Sequence, residues 1–428
     1  MLSIRIIIVV ICVFSLSFFS QKAFAAASGG YSIEVPDAGA FGMGNAFVGE
    51  ADTPAAVYYN PAGITQMSRP EVSVGEAILA PRGQMTQPDG NTVHMQNNEY
   101  GVPNFYAVVP VIPNKLSIGA GGGSYFGLGT NWGPNSPLRY ATTQANITDV
   151  DNSLVVSYQV TKQWSIAASA DNDYSRADLS RVLYDPIGYT PTMEVKGGDD
   201  AWGYRLATMF KINDQNQVGL MYRSRIDHNY KGKISINGMS PFYDAHYGFS
   251  GPSFVTNFEE KSVLPQVVVL GYSFKPTTKW TINADLKWSD WSQNKYETLT
   301  YSNTTLSNLL GSNNRIPEDW HSEWAESIGA QYAVTDRFRL RLGYYHGGAA
   351  AVVPDADFNP SLPDSNCNGI ATGFGFDITK RLTLDVAYSA NFYTTRDIIN
   401  TVSNPYGSVD GKYEQIVHMG LVSLTYKF

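Results

Sequence analysis

Cysteine is nearly absent from this chain: Cys12 and Cys367 are the two among 428 residues. Cys12 sits inside an N-terminal apolar run, and one remaining cysteine cannot close an internal disulfide, which excludes a small disulfide-stapled secreted fold. Positive charge is scarce as well, with 30 Lys and Arg against 38 Asp and Glu and a formal net charge of −8. An acidic balance of this kind disfavours nucleic acid as a partner. Long apolar stretches are missing, since no run beyond residues 6–19 approaches the roughly 20 residues of a membrane helix. Histidine is sparse, and His94, His228, His246, His321, His346 and His418 fall into no transition-metal spacing. None belongs to a nucleophile motif, and Gly248-Phe249-Ser250-Gly251 lacks the G-x-S-x-G spacing. Neither an enzyme nor a metal or cofactor site is expected from these patterns.

What the chain does have begins at its N-terminus. Arg5, an apolar run from Ile6 to Phe19, a polar break at Gln21-Lys22 and the small-residue site Ala23-Phe24-Ala25 follow the order of a secretory signal peptide. Cleavage after Ala25 would remove Arg5 and Lys22 and move the formal charge from −8 to −10. The chain is rich in aromatics, with 27 Tyr, 20 Phe and 8 Trp, and carries 39 Gly. Exported, aromatic-rich and without helical spans is the profile of a barrel in a Gram-negative outer membrane.

Strand periodicity agrees. Trp280, Ile282, Ala284, Leu286 and Trp288 share one face, while Thr281, Asn283, Asp285 and Lys287 share the other. Leu382, Leu384, Val386, Tyr388 and Phe392 alternate in the same way with Thr383, Asp385, Ser389 and Asn391. Six short turns recur with one grammar, "VIPNKLSI", "VTKQWSI", "INDQNQV", "FKPTTKWTI", "VTDRFRL" and "ITKRLTL", and longer aromatic-rich links lie between them. Short turns on one rim and long loops on the other predict an all-β transmembrane antiparallel barrel of about 14 strands. The last strand ends in Val422, Leu424, Tyr426 and Phe428 on one face, with an aromatic as the final residue.

The segment "FGMGNAFVGEADTPAAVYYNPAG", Phe41 to Gly63, precedes the first strand and is crowded with small residues. Glycine and alanine let a backbone turn tightly and lie close to its neighbours. With Gly42, Gly44-Asn45-Ala46-Phe47, Gly49, Asp52 and the turn Asn60-Pro61-Ala62-Gly63, it resembles the N-terminal hatch of the FadL/TodX-like outer-membrane transporters. The resemblance implies a signal peptide over 1–25, a hatch in the lumen over 26–69 and a barrel over 70–428. It implies passive uptake of long-chain fatty acids or related hydrophobic molecules by a monomer sitting in outer-membrane lipid. Neutral aromatic or alkane hydrocarbons are the alternative cargo, and a general diffusion porin, which would lack a hatch, is the alternative channel.

The family's sideways exit, at a kinked third strand, has a counterpart in "LSIGAGGGSYFG", where Gly119, Gly121, Gly122 and Gly123 fall in one strand. Interior glycines weaken a strand and mark bends or close approaches. Alternation directs Arg205, Arg223, Arg225 and Lys287 inward as possible partners of a carboxylate head, and Met419 and Leu421 inward as apolar lining. Phe242, Tyr243, Phe249 and Phe254, in the link from 237 to 258, are candidates for capturing a hydrophobic molecule at the outer rim.

Overall fold

The structure, a computed structural model, describes residues 30–311, 315–348, 358–399 and 409–428, so the signal peptide expected over 1–25 lies outside the described residues. Fourteen antiparallel strands close into a barrel. They are β1 Glu71–Thr86, β2 Tyr100–Ile112, β3 in two pieces Leu116–Gly123 and Gly127–Asn131, β4 Gln144–Gln159, β5 Trp164–Val182 and β6 Thr192–Lys211. β7 is split into Asn216–Arg223 and Ile226–Asn237, and β8 into Ser253–Leu264 and Gln266–Phe274. β9 Trp280–Asp290, β10 Glu323–Ala333, β11 Phe338–Gly347, β12 Cys367–Asp377, β13 Leu382–Tyr393 and β14 Gly411–Lys427 complete the wall. β14 pairs back onto β1 from Glu71↔Lys427 to Thr86↔Lys412, which removes both sheet edges.

All six short turns read from the sequence lie on one rim, together with Glu71 and Lys427 at the ends of the wall. Period-two alternation sets the two faces. Leu206, Leu270, Leu342 and Ile370 point outward and are about half exposed or more, flanked by outward Trp164 and Trp280 towards the short-turn rim and Trp202 and Trp324 towards the other. An apolar band with aromatic girdles is what lipid demands of an outer face. No described helix is long and apolar enough to cross a membrane. Facing inward are Ser, Asn, Asp and Arg, which pack on a plug formed by the residues ahead of β1.

Candidate functional site

The plug is built from very short elements. α1, Ala38–Phe41, is capped by Asp37, whose carboxylate accepts the Ala40 N–H at 2.9 Å. α2, Ala56–Tyr59, runs into a 3-10 turn over Pro61–Gln66. Pro61 suits the start of that turn because its missing N–H would have had no intrahelical partner there. Asn60, fully buried, holds the junction: its side-chain oxygen accepts the Ala62 N–H at 3.1 Å, and its amide donates to the Val48 carbonyl at 3.0 Å and the Thr208 carbonyl of β6 at 3.3 Å. Gly63 leaves no room for a side chain, since a Cβ there would sit 2.2 Å from the Ala51 carbonyl oxygen.

Backbone meets backbone where the plug touches the wall. A Cβ on Gly329 of β10 would lie 2.2 Å from the Met43 oxygen, and one on Gly343 of β11 would lie 2.1 Å from the Gly44 nitrogen. Gly219 and Gly271 receive Val48 and Gly49 in the same way. These four glycines form a row across neighbouring strands on which the segment from 43 to 49 lies. Next to it Asp285 of β9 accepts the N–H groups of Phe47 and Val48 at 2.8 and 2.9 Å, and Asn283 donates to the Ala46 carbonyl at 2.9 Å.

Above the plug the wall is interrupted. β3 pairs with β2 only as far as Phe105↔Gly122, and its second piece pairs with β4 but not with β2. Ser124–Phe126 form the break, with Tyr125 and Phe126 turned inward against Arg205 and Arg223. Gly119 and Gly121 pack tightly, against Val57 and Ile64 of the plug and against Tyr106 respectively, and Gly123 ends the first piece. The start of the plug reaches this break. Ser32 and Phe126 form an isolated antiparallel bridge.

Two cavities lined by described residues bear on a passage through the lumen. The inner one, about 750 Å³ including solvent-connected space, is lined by Tyr58, Tyr59, Phe126 and Val267 and by Arg205 and Lys287. The outer one, about 1100 Å³ on the same measure, is lined by Leu179, Val195 and Phe258 and by Glu260, Glu297 and Glu318. Tyr31 lines the outer cavity and its chain neighbour Ser32 the inner one. Tyr31 packs on Trp291 and Trp320 with ring centroids 6.1 and 5.2 Å apart, and Phe126 packs on Trp291 at 5.9 Å. On the loop beyond the wall, burial and then the neighbouring Glu297 push the Glu318 carboxyl up to about 8.

The cations expected in the lumen divide. Arg205 is 1% exposed and bonds Asp151 at 3.1 Å, with Asp171 at 3.4 Å from its Nε. Arg223 bonds the other oxygen of Asp151 at 3.1 Å. Lys287 pairs with Glu34 of the plug. Arg225, expected inward, instead points out and pairs with Asp227 at 3.2 Å. The cause is a bulge. Arg205 stands opposite Arg223, but farther along the same strands Lys231 stands opposite Gly198, so β7 carries one extra residue at its break and its faces exchange.

Met419 and Leu421 do face inward, but they pack with Leu79, Val102 and Phe41 beside the plug and do not line either cavity. Tyr243 and Phe249 are buried in an outer-loop cluster with Leu306, against which Phe242 and Phe254 pack. Phe242 and Tyr243 belong to α3, Pro241–Tyr247. Sequence reading missed Tyr31, Tyr58, Phe126, Trp291 and Trp320. The signal available was the aromatic pair directly after the glycine run, "GGGSYFG".

Comparison with known proteins places this architecture. Residues 16–428 match the family described as outer membrane protein transport protein (OMPP1/FadL/TodX). A putative outer membrane protein of Neisseria meningitidis serogroup B is 24% identical, covering 95% of this chain and 97% of its own. The long-chain fatty acid transport protein of Escherichia coli strain K12 is 23% identical, covering 81% of this chain and 84% of its own. Among solved structures, a Pseudomonas aeruginosa FadL homologue superposes with a TM-score of 0.82 at 16% identity, over 94% of this chain and 100% of that one. The P. putida toluene transporter TodX gives 0.72 at 16% identity, over 94% and 99%. With the plug, the closed barrel and a family match spanning nearly the whole sequence, the chain belongs to the OMPP1/FadL/TodX family of outer-membrane transport proteins.

Proposed function

We propose that this transporter takes up uncharged hydrophobic molecules passively, binding them in the outer cavity, passing them by Tyr31 and Phe126 to the inner one, and releasing them sideways at the break in β3. One observation carries the reading: residues 100–104 of β2 lack a ladder partner on the side where β3 is interrupted. Unpaired backbone at membrane depth is tolerated only where protein buries it or where it lines a cavity. Burial of the cargo supplies the drive, about 0.8 kcal/mol per methylene. The charge pattern supports a neutral cargo. Arg205, Arg223 and Lys287 each bind a carboxylate of this chain, so a carboxylate head in the inner cavity would find these cations already engaged, and Glu318 in the outer cavity becomes a like charge for such a head as it ionises.

A second reading, long-chain fatty acids, is favoured by the likeness to the E. coli long-chain fatty acid transport protein. A Gram-negative host lacking its own long-chain fatty-acid channel, and expressing this chain, separates the two. Uptake of a monoaromatic hydrocarbon or alkane is expected to rise with the native chain and not with a folded variant carrying valine at Gly121, Gly122 and Gly123. Uptake of oleate alone would overturn the neutral cargo. Equal uptake by the valine variant would overturn the sideways route.

A further inference from the structure

On the lumen side of the wall, three strands bring together three side chains that stand far apart in the sequence. Asp149 of β4, Asp173 of β5 and His228 of β7 have ligand atoms that all lie within 4.8 Å of one another. We propose that they form a binding site for a divalent cation of the Zn²⁺ class, beside the break in β3.

The first support is a charge imbalance. Asp149, Asp151, Asp171 and Asp173 are all 0% exposed, and the permanent cations that pair with them are Arg205 and Arg223. With His228 neutral, the form in which it can ligate a metal, four buried carboxylates against two guanidiniums leave a surplus of two negative charges. Uncompensated buried charge is strongly unfavourable, and one divalent ion cancels this surplus.

A second, independent support is Asp149 itself. Its carboxyl faces that of Asp173, and neither of its oxygens, nor Oδ2 of Asp173, accepts a hydrogen bond from an N–H or hydroxyl donor. Native interiors leave few such groups without an explanation, and an ion is one. Asp151, by contrast, accepts from Arg205 at 3.1 Å, and Asp171 accepts from the Ser169 hydroxyl at 3.0 Å.

His228 is oriented as a ligand would be. Its Nδ1 lies 3.2 Å from Oδ2 of Asp199, an oxygen fixed by the Asn229 N–H at 2.9 Å. A carboxylate on one ring nitrogen sets the tautomer and directs the other nitrogen at a metal. That other nitrogen, Nε2, lies 3.0 Å from Oδ1 of Asp173, on the edge where a cation would take the place of a proton. Two carboxylates and an imidazole suit Zn²⁺, with bonds of about 2.0–2.2 Å. At tetrahedral angles two such bonds set ligand atoms roughly 3.4 Å apart, so the cluster, whose ligand atoms lie within 4.8 Å of one another, must draw in by up to about 1.4 Å to close on the ion.

The location gives the site a role. Thr148↔Gly127 and Asp151↔Gly123 bracket the break in β3, and the Asp149 carbonyl accepts the Ser124 hydroxyl. A cation here ties β4, β5 and β7 together behind the opening and stiffens its rim.

The test uses the full-length barrel, folded in detergent, stripped with a chelator and titrated with Zn²⁺. Elemental analysis and thermal unfolding are read together. One Zn²⁺ per barrel and a raised melting temperature are expected. Asp149→Asn, which removes a ligand charge, should lower Zn²⁺ affinity at least tenfold. Asp199→Asn should lower it about 10- to 100-fold through the histidine. It serves as the second variant should the first fail to fold. Zn²⁺ bound equally by native and Asp199→Asn barrels, or no Zn²⁺ bound by the native barrel, would overturn the proposal. The latter outcome would leave a proton shared between Asp149 and Asp173.

Discussion

Ser32 and Phe126 pair across a bridge that fastens the plug to the interrupted third strand. The Ile33 N–H donates to the Tyr125 carbonyl at 2.9 Å and the Gly127 N–H donates to the Tyr31 carbonyl at 2.7 Å, so each side of the bridge has its own bond. Ile33→Pro removes the first donor. The lost bond is worth about 1 kcal/mol, and trimming the fully buried Ile33 side chain adds to it, so the population of a detached plug end should rise at least about fivefold. Faster hydrophobic uptake by a barrel of unchanged electrophoretic heat-modifiability is the expected result, and an unchanged rate would dissociate the bridge from the passage.

Seating of the plug depends on the glycine row. Gly343→Val places side-chain atoms where the Gly44 backbone lies, and neither backbone can retreat without moving its strand or turn. Overpacking of this kind costs about 1–3 kcal/mol or more. The plug should become sensitive to protease and single-channel conductance should rise, while Gly420→Ala, with open space around it, changes neither.

Arg205 and Arg225 should differ sharply although both were expected to face the lumen. Arg205→Met leaves Asp151 and Asp171 short of a buried partner and should destabilise the barrel by about 3–5 kcal/mol in a urea titration. Arg225→Ala removes an exposed pair and should stay within about 0.5 kcal/mol of the native chain. Equal losses at the two sites would refute the bulge as the reason for Arg225 facing out.

The outer cavity should respond to pH. Burial holds Glu318 protonated up to about 8, against an ordinary glutamate value near 4.3. Because the folded value is raised, the group is neutral in the folded protein below pH 8 and gains charge as pH rises through 8. Folding stability therefore falls across the window from about 4.5 to 8, and affinity for an anionic amphiphile falls further as pH passes 8. Affinity for a matched neutral amphiphile should stay flat. Glu318→Gln should flatten the anion's profile as well, and a profile that persists in this variant would exclude Glu318 as its source.

Fold and plug were legible in the sequence because their signals are local. Alternation at period two assigns faces within a strand, turn residues mark the rim, and small residues ahead of β1 mark a segment that must lie close to other backbone. The site was legible only in part. Arg205 and Arg223 could be directed inward, yet their partners Asp151 and Asp171 come from other strands, and whether an inward cation is available or already paired depends on which strands become neighbours.

By itself, then, the sequence determined the strands, their turns, the lipid and lumen faces wherever no bulge intervenes, and the plug, since each follows from chemistry within a few residues. Tertiary structure alone decided the bulge that turns Arg225 outward, the glycines that receive the plug, the two cavities and the meeting of Asp149, Asp173 and His228. These depend on the register of a closed sheet, where one added residue exchanges the faces of a strand and brings together groups tens to hundreds of positions apart.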